Sequence, residues 1–179
     1  MKLFSLLNSE LAGSSSGTYE KKGAVSPFWQ FVFHTRVNRR YMAIAVAGTI
    51  VQFIVFKMLY PFPDFISDSY SYISTNLFQM DVNLWPIGYS RFLSIIHEIS
   101  YSDTFLTAIQ YFLLEAAFSC LFFTILFLYR PARNTSNILF AFYFFNPMCL
   151  YISNCVLSDA LFASLTIVFI SQFLWIKNQ

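Results

Sequence analysis

The stretch "TFLTAIQYFLLEAAFSCLFFTILFLY", from Thr104 to Tyr129, decides the fold. Its only charged side chain is Glu115. A bilayer's hydrocarbon core is about 30 Å thick, and a helix needs about 20 apolar residues to cross it. This stretch is long enough. Outward from it lie three more apolar runs. "YMAIAVAGTIVQFIVFKMLY", Tyr41 to Tyr60, precedes it, with Lys57 near its end and able to snorkel. A run from about Ser136 to Ile152 follows, interrupted by Asn146-Pro147, and then one from Asp159 to Trp175. The composition agrees: 57% of the residues are hydrophobic, 23 are Phe and 11% are charged, against about 25% charged in soluble domains. The expected fold is an all-α polytopic membrane protein with four transmembrane helices.

Lysine and arginine placement orients those spans. Lys2, Lys21, Lys22, Arg36, Arg39 and Arg40 precede the first; Arg130 and Arg133 lie between the second and third; Lys177 follows the fourth. All fall on one side if both termini are cytoplasmic. Lys57 and Arg91 fall on the other. The net charge of +2, with no basic, aromatic-interleaved stripe, gives no footprint for nucleic acid.

Residues 1–35 read as a cytosolic tail, partly disordered, with residues 1–26 its mobile part. "LFSLL" is shorter than the roughly 7–15 apolar residues of a signal peptide, and "AGSSSG" has linker composition. Residues 36–60 form the first span with its basic flank, 61–103 an external loop, and 104–179 three further spans and a short C-terminal tail. Cys120, Cys149 and Cys155 are odd in number and lack metal or disulfide spacing. Buried cysteine, acting as a small hydrophobe, is the expectation. The sequon Asn134-Thr135-Ser136 falls on the cytoplasmic side and is expected to be silent.

A loop as long as 61–103 has structure of its own. Two interfacial helices are legible in it. From Asp68 to Phe78, Tyr70, Ile73 and Leu77 share one face, and Asp68, Tyr72, Thr75 and Asn76 the other. From Tyr89 to Ile99, the apolar set is Tyr89, Phe92, Leu93, Ile96 and Ile99, with Arg91, Ser94 and Glu98 opposite. Both fit helices lying flat at the membrane surface. Their apolar faces either dip into lipid or cover the tops of the spans. The polar face carrying Asp68 and Tyr72 then looks into the bundle. "QMDVNLWPIG" joins the two helices.

The sequence has no Gly-rich phosphate loop and no HExxH. His34 and His97 fall on opposite sides of the membrane in this topology, which leaves no His-based metal site within one copy. Three segments carry a resemblance instead. An acid and a Tyr, Asp68 and Tyr72, open the loop. "WPIGYSRFL", Trp85 to Leu93, leads the second loop helix. "NPMCLYISNCVLSDALF", Asn146 to Phe162, ends with Ser158-Asp159 at the start of the last span. In this order the chain resembles the N-terminal part of the membrane-embedded GT-C-type glycosyltransferases, in their protein O-mannosyltransferase-like and aminoarabinose transferase-like branches. The resemblance covers residues 36–175. It departs from the family pattern where Ser69 stands in place of a second acid beside Asp68, with Asp64 four residues earlier.

The resemblance implies sugar transfer from a polyprenyl-phosphate-linked donor to an acceptor hydroxyl at the external membrane face. Phosphate leaves readily, and the attacking hydroxyl needs a base. Asp68 fits that role, with Tyr72, Asp64 and Asp159 shaping the pocket. A divalent metal held by the acid is the other role the resemblance allows. The structural alternatives are ordinary. Asp68 near a helix start stabilises the macrodipole by about 0.3–1 kcal/mol, and Ser158-Asp159 reads as an N-cap and first turn. Arg91 either binds an anionic lipid phosphate or pairs with Asp81 or Glu98.

Glu115 stands apart. A carboxylate at mid-bilayer costs about 2.5–3.5 kcal/mol on insertion scales, so it must face protein or water. Thr107, Tyr111, Glu115 and Ser119 form a polar stripe at four-residue spacing, read as a proton or substrate path or as an interhelical hydrogen bond. Members of the resembling family continue for several more spans, so the chain is expected to be a fragment or a short relative needing a protein partner or its own copies. Two rival functions remain at this level. One is a non-catalytic membrane subunit binding lipid or a protein through the external loop; the other is a transport component using Glu115. On family analogy the location is a bacterial inner membrane.

Overall fold

The structure is a computed structural model and describes residues 27–178. The described residues form the helices α1 (Pro27–His34), α2 (Arg36–Leu59), α3 (Ser67–Leu77), α4 (Gly88–Ile99), α5 (Asp103–Tyr129), α6 (Arg133–Phe144), α7 (Pro147–Asn154) and α8 (Asp159–Lys177). Three of them, α2, α5 and α8, are long and apolar enough to cross a membrane. The chain is an integral membrane protein whose described residues are all-helical; among them the one β contact is an isolated bridge between Asp64 and Cys155.

Helix α5 is the axis. Half of its most apolar window is buried, against 17% for α2 and for α8. It packs most extensively on α8, then on α7, α6 and α2. Helices α5 and α8 run parallel. Near the start of α5, Gln110 donates to the carbonyls of Ser153 and Cys155 just ahead of α8, and near its end Thr124 accepts from the Trp175 indole. The low burial of α2 and α8 leaves apolar faces such as Ile44, Val51, Phe162 and Phe169 outward. In lipid such faces cost nothing, because the tails are as apolar as the side chains.

The run from Ser136 to Ile152 is not one helix. Pro147 has no N–H to continue α6, and Asn146 turns the break into a new start: its side-chain oxygen accepts from Met148 N at 3.0 Å, with Pro147 in the first turn. Helices α6 and α7 together still follow α2 end to end. Tyr41 meets Asn137, Gln52 meets Phe144 and Lys57 meets Asn154. Gln52 has a definite task, since the break at Pro147 frees the Phe144 carbonyl and Gln52 Nε2 donates to it at 2.8 Å. An unsatisfied carbonyl in hydrocarbon is costly. Gln52→Leu is therefore expected to destabilise the chain by about 1–3 kcal/mol, read as a lower melting temperature in detergent.

The ends of the bundle differ. At one end Phe28 of α1 meets Phe127 and Trp175 edge-on at 5.6 and 5.3 Å. An aromatic core built on Phe122, Phe123, Phe140 and Phe144 lies along α2 from there. Helix α1 falls inside the stretch read as a tail, whereas residues 1–26 lie outside the described residues. At the other end α3 and α4 pack on each other and over the starts of α5 and α8.

The faces of α3 and α4 sharpen the expectation. In α3 the face turned inward carries Ser69, Tyr72 and Thr75, while Tyr70 and Leu77 point away from the chain. In α4, Tyr89, Leu93 and Ile96 are buried with Tyr72, Leu106 and Val156. They cover the span tops, and only Ile95 and Ile99 remain outward. Among the cysteines Cys149 is buried and Cys155 half-buried, but Cys120 lies on the outer surface of α5. The apolar surroundings expected for Cys120 are thus not protein.

Candidate functional site

The site is built where the chain leaves α2. Pro61 and Pro63 hold residues 61–66 extended, since proline fixes its own φ and disfavours helix in the residue before it. This strap pairs with the link between α7 and α8. Asp64 N donates to the Asn154 carbonyl at 3.0 Å, and Val156 N donates to the Asp64 carbonyl at 3.1 Å.

Asn154 is the hub of that junction. It is 1% exposed. Its oxygen accepts from the Lys57 ammonium at 2.6 Å. Its nitrogen donates to the Phe62 carbonyl and to Asp64 Oδ2, both at 3.1 Å. One amide thereby joins α2, the strap and α7. Lys57 does not snorkel to open water but ends on this amide. The space among Phe53, Lys57, Tyr111 and Asn154 is too small to admit water.

Beside the hub, two tyrosines lock the loop to the spans. Tyr72 and Tyr89 pack edge-to-face with centroids 4.9 Å apart. The Tyr72 hydroxyl lies 3.1 Å from Ser158 Oγ. Tyr89 donates to Gln110 Oε1 at 2.6 Å, and Gln110 passes both of its N–H bonds to the Ser153 and Cys155 carbonyls. Every polar atom of the Gln110 amide is used. Ser158 precedes α8, but its side chain makes no capping bond to that helix; its hydroxyl goes to Tyr72 instead. The expected N-cap is thus replaced by a tertiary contact.

Charge collects around Cys155. Burial pushes its thiol above the ordinary range, and the carboxylates of Asp64 and Asp159 push it the same way. The thiol is protonated at neutral pH and is a poor nucleophile. Burial also raises the Tyr89 hydroxyl above its usual value, with Tyr72, Cys155 and Asp159 adding to the effect. Tyr89 therefore stays a neutral donor to Gln110.

The sequence-derived residues separate into groups. Asp64, Tyr72 and Asp159 come together around the link between α7 and α8. Asp64 and Asp159 are exposed, whereas Tyr72 is a packed residue at 5% exposure. Asp68 lies in the first turn of α3, half-buried, and accepts from Ser67 Oγ at 3.3 Å. Arg91 lies on the outer face of α4 and forms an ion pair with Asp81 at 2.9 Å, both well exposed. Such a pair contributes about 0–1 kcal/mol. Among the described residues, no three of His, Cys, Asp and Glu converge as metal ligands.

Glu115 is elsewhere, halfway along α5 and 4% exposed. Thr107 and Tyr111 of its stripe are buried as well. Glu115 Oε2 is buried and has no hydrogen-bond partner among the described residues. A cavity of about 390 Å³ lies beside it, walled by Thr49, Ile50, Phe112 and Ser119. That cavity, and a larger one along α1 and α2, are not lined by Asp64, Asp68, Tyr72 or Asp159.

Sequence reasoning missed Asn154, Gln110 and Tyr89 as site residues, and Gln52 as a structural one. A signal existed for the two glutamines. A lone amide in an apolar span must find a polar partner, and Gln52 and Gln110 are the only ones in their runs. Asn154 carried no such mark, since it lies at a span end where polar residues are ordinary. No protein-family model, curated protein or solved structure matches this chain.

Proposed function

We propose that this chain carries the external-face site of a GT-C-type membrane glycosyltransferase, with four spans and both termini cytoplasmic. It moves a sugar from a polyprenyl-phosphate donor to an acceptor hydroxyl at the external face. One observation carries the reading. The third segment behind the resemblance is far along the sequence from the first two, yet all three share one cluster: Tyr72 from the first, Tyr89 from the second and Ser158 from the third. The return of α6 and α7 along α2 supports the fourth pass, with the break at Asn146-Pro147 sheltered by Gln52. The basic residues Arg36, Arg130 and Lys177 border the helix ends remote from the α3–α4 loop, as the orientation requires.

In this reading Asp68 is the general base. It takes the proton from the acceptor hydroxyl as that oxygen attacks the anomeric carbon. The bond from that carbon to the phosphate oxygen breaks, the phosphate leaves with the electron pair, and the anomeric centre inverts. Asp159 and Asp64 shape the acceptor side. Tyr72 is a positioning residue, because its ring and hydroxyl are spent on Tyr89 and Ser158. Arg91 exchanges its weak, exposed pair with Asp81 for the lipid phosphate, which a guanidinium holds at two oxygens.

The test is a melting titration in detergent. A ligand that binds only the folded state at 100 times its Kd stabilises by about 2.7 kcal/mol. Undecaprenyl phosphate should raise the melting temperature, and undecaprenol should not. Arg91→Gln should shrink the difference, and a difference that this change leaves untouched would contradict the proposal. Equal responses to both lipids, or to neither, would contradict the proposal.

A further inference from the structure

We propose that the groove between α1 and α2 binds an anionic phospholipid, with its phosphate held by Arg36, Arg39 and Arg40. The groove is the largest of the cavities described above, at about 950 Å³, and adds Phe33, Val46 and Ile50 to those arginines. This volume is at the upper end of the roughly 300–1,000 Å³ of small-molecule sites. The lining is amphipathic along one axis. The arginines occupy the first two turns of α2, and Val46 and Ile50 follow two to four turns further along the helix. A headgroup with a chain attached has that same order of charge and hydrocarbon.

Electrostatics select the sign of the occupant. Arg36 stands three and four residues from Arg39 and Arg40, where like charges on a helix repel. All three also sit at the positive end of the α2 dipole. No acid of the described residues relieves them. The one ion pair among those residues is Arg91–Asp81, in the α3–α4 loop. The sequence ahead of α1 brings three lysines against two glutamates, so it supplies no net negative charge. An anion from the membrane fits, and guanidinium forks suit phosphate oxygens better than ammonium groups do. The site lies at the opposite end of α2 from the loop, so it is independent of sugar transfer.

Native mass spectrometry of the detergent-purified chain tests this. Phosphatidylglycerol and phosphatidylcholine with identical acyl chains are titrated in separately. Three basic residues near a charged headgroup should favour the anionic lipid on the order of 100-fold. The combined variant Arg36→Gln, Arg39→Gln, Arg40→Gln should lose that preference. The pair Arg130→Gln, Arg133→Gln, outside the groove, should keep it. Ala47→Trp retains every arginine and fills the groove, and it should lose the bound lipid. Equal binding of the two lipids would overturn the proposal, and so would equal loss in both arginine variants, which would mark a diffuse field. Displacement by millimolar inorganic phosphate would assign the arginines to free phosphate instead of lipid.

Discussion

Asn154→Leu should cost about 3–5 kcal/mol, the largest single-residue loss expected in this chain. The volume of the side chain is nearly kept, so packing is not the cause. The amide joins Lys57, the Phe62 carbonyl and Asp64 in one group of three hydrogen bonds. Two of these involve a charged partner, and such bonds are worth more than neutral ones. Without the amide, the half-buried Lys57 ammonium has nothing to donate to. The strap from Pro61 to Ile66 then loses its two side-chain bonds to α7 and is held there by backbone pairing alone. A second change distinguishes this cause from general damage. Lys57→Met removes the stranded charge, so adding it to Asn154→Leu should recover part of the loss. The coupling should be read from a double-mutant cycle of melting temperatures in detergent, with contact residues typically interacting by 0.5–3 kcal/mol. Additive losses would show that the hub is not a unit.

Asp68→Asn should lower sugar transfer by about 10²–10⁴-fold, the usual contribution of a positioned general base. Stability should barely change, because the carboxylate's one hydrogen bond among the described residues is from Ser67 Oγ. The other acids should behave differently. Asp64→Asn keeps the oxygen that accepts from Asn154, so its effect on folding should be small. Asp159→Asn leaves Ser158 and Tyr72 in contact and should raise the apparent KM for acceptor more than it lowers kcat. Tyr72→Phe should reduce stability by about 0.5–1.5 kcal/mol through the lost Ser158 bond, with transfer following stability. If Asp159→Asn instead matches the expected loss for Asp68→Asn, the base is at the α8 end of the cluster.

Much of the fold was legible because apolar length is a strong signal. The expected first, second and fourth spans correspond to α2, α5 and α8, and the loop helices to α3 and α4. The Asn146-Pro147 interruption was legible too, since proline cannot continue a helix and asparagine caps the next one. Helix α1 was not. "PFWQFVFH" is too short for periodicity to show, and its order comes from Phe28 packing edge-on against Phe127 and Trp175, far along the sequence. The hub at Asn154 was hidden for a similar reason. Its meaning depends on Lys57 and Asp64, which only the parallel run of α7 beside α2 brings to it. The same tertiary context overrode the cap at Ser158. Local pattern favours a side-chain bond to the helix, and the nearby Tyr72 hydroxyl takes that side chain instead. Burial on α3 is also a tertiary result. A surface helix ordinarily turns its apolar stripe to the core, but α3 lies against a polar seam and turns Tyr70 outward.

In the proposed function, the cluster of Tyr72, Tyr89 and Ser158 holds a sugar-transfer site. The most direct measurement uses membranes containing the chain, an acceptor hydroxyl compound and labelled polyprenyl-phosphate mannose or aminoarabinose. Product is counted for the wild type and for Asp68→Asn at matched membrane levels. The expected result is transfer with inverted anomeric configuration by the wild type, falling by at least about 100-fold in Asp68→Asn. Transfer that is equal in the two, or absent from a well-inserted wild type with every donor, would contradict the claim.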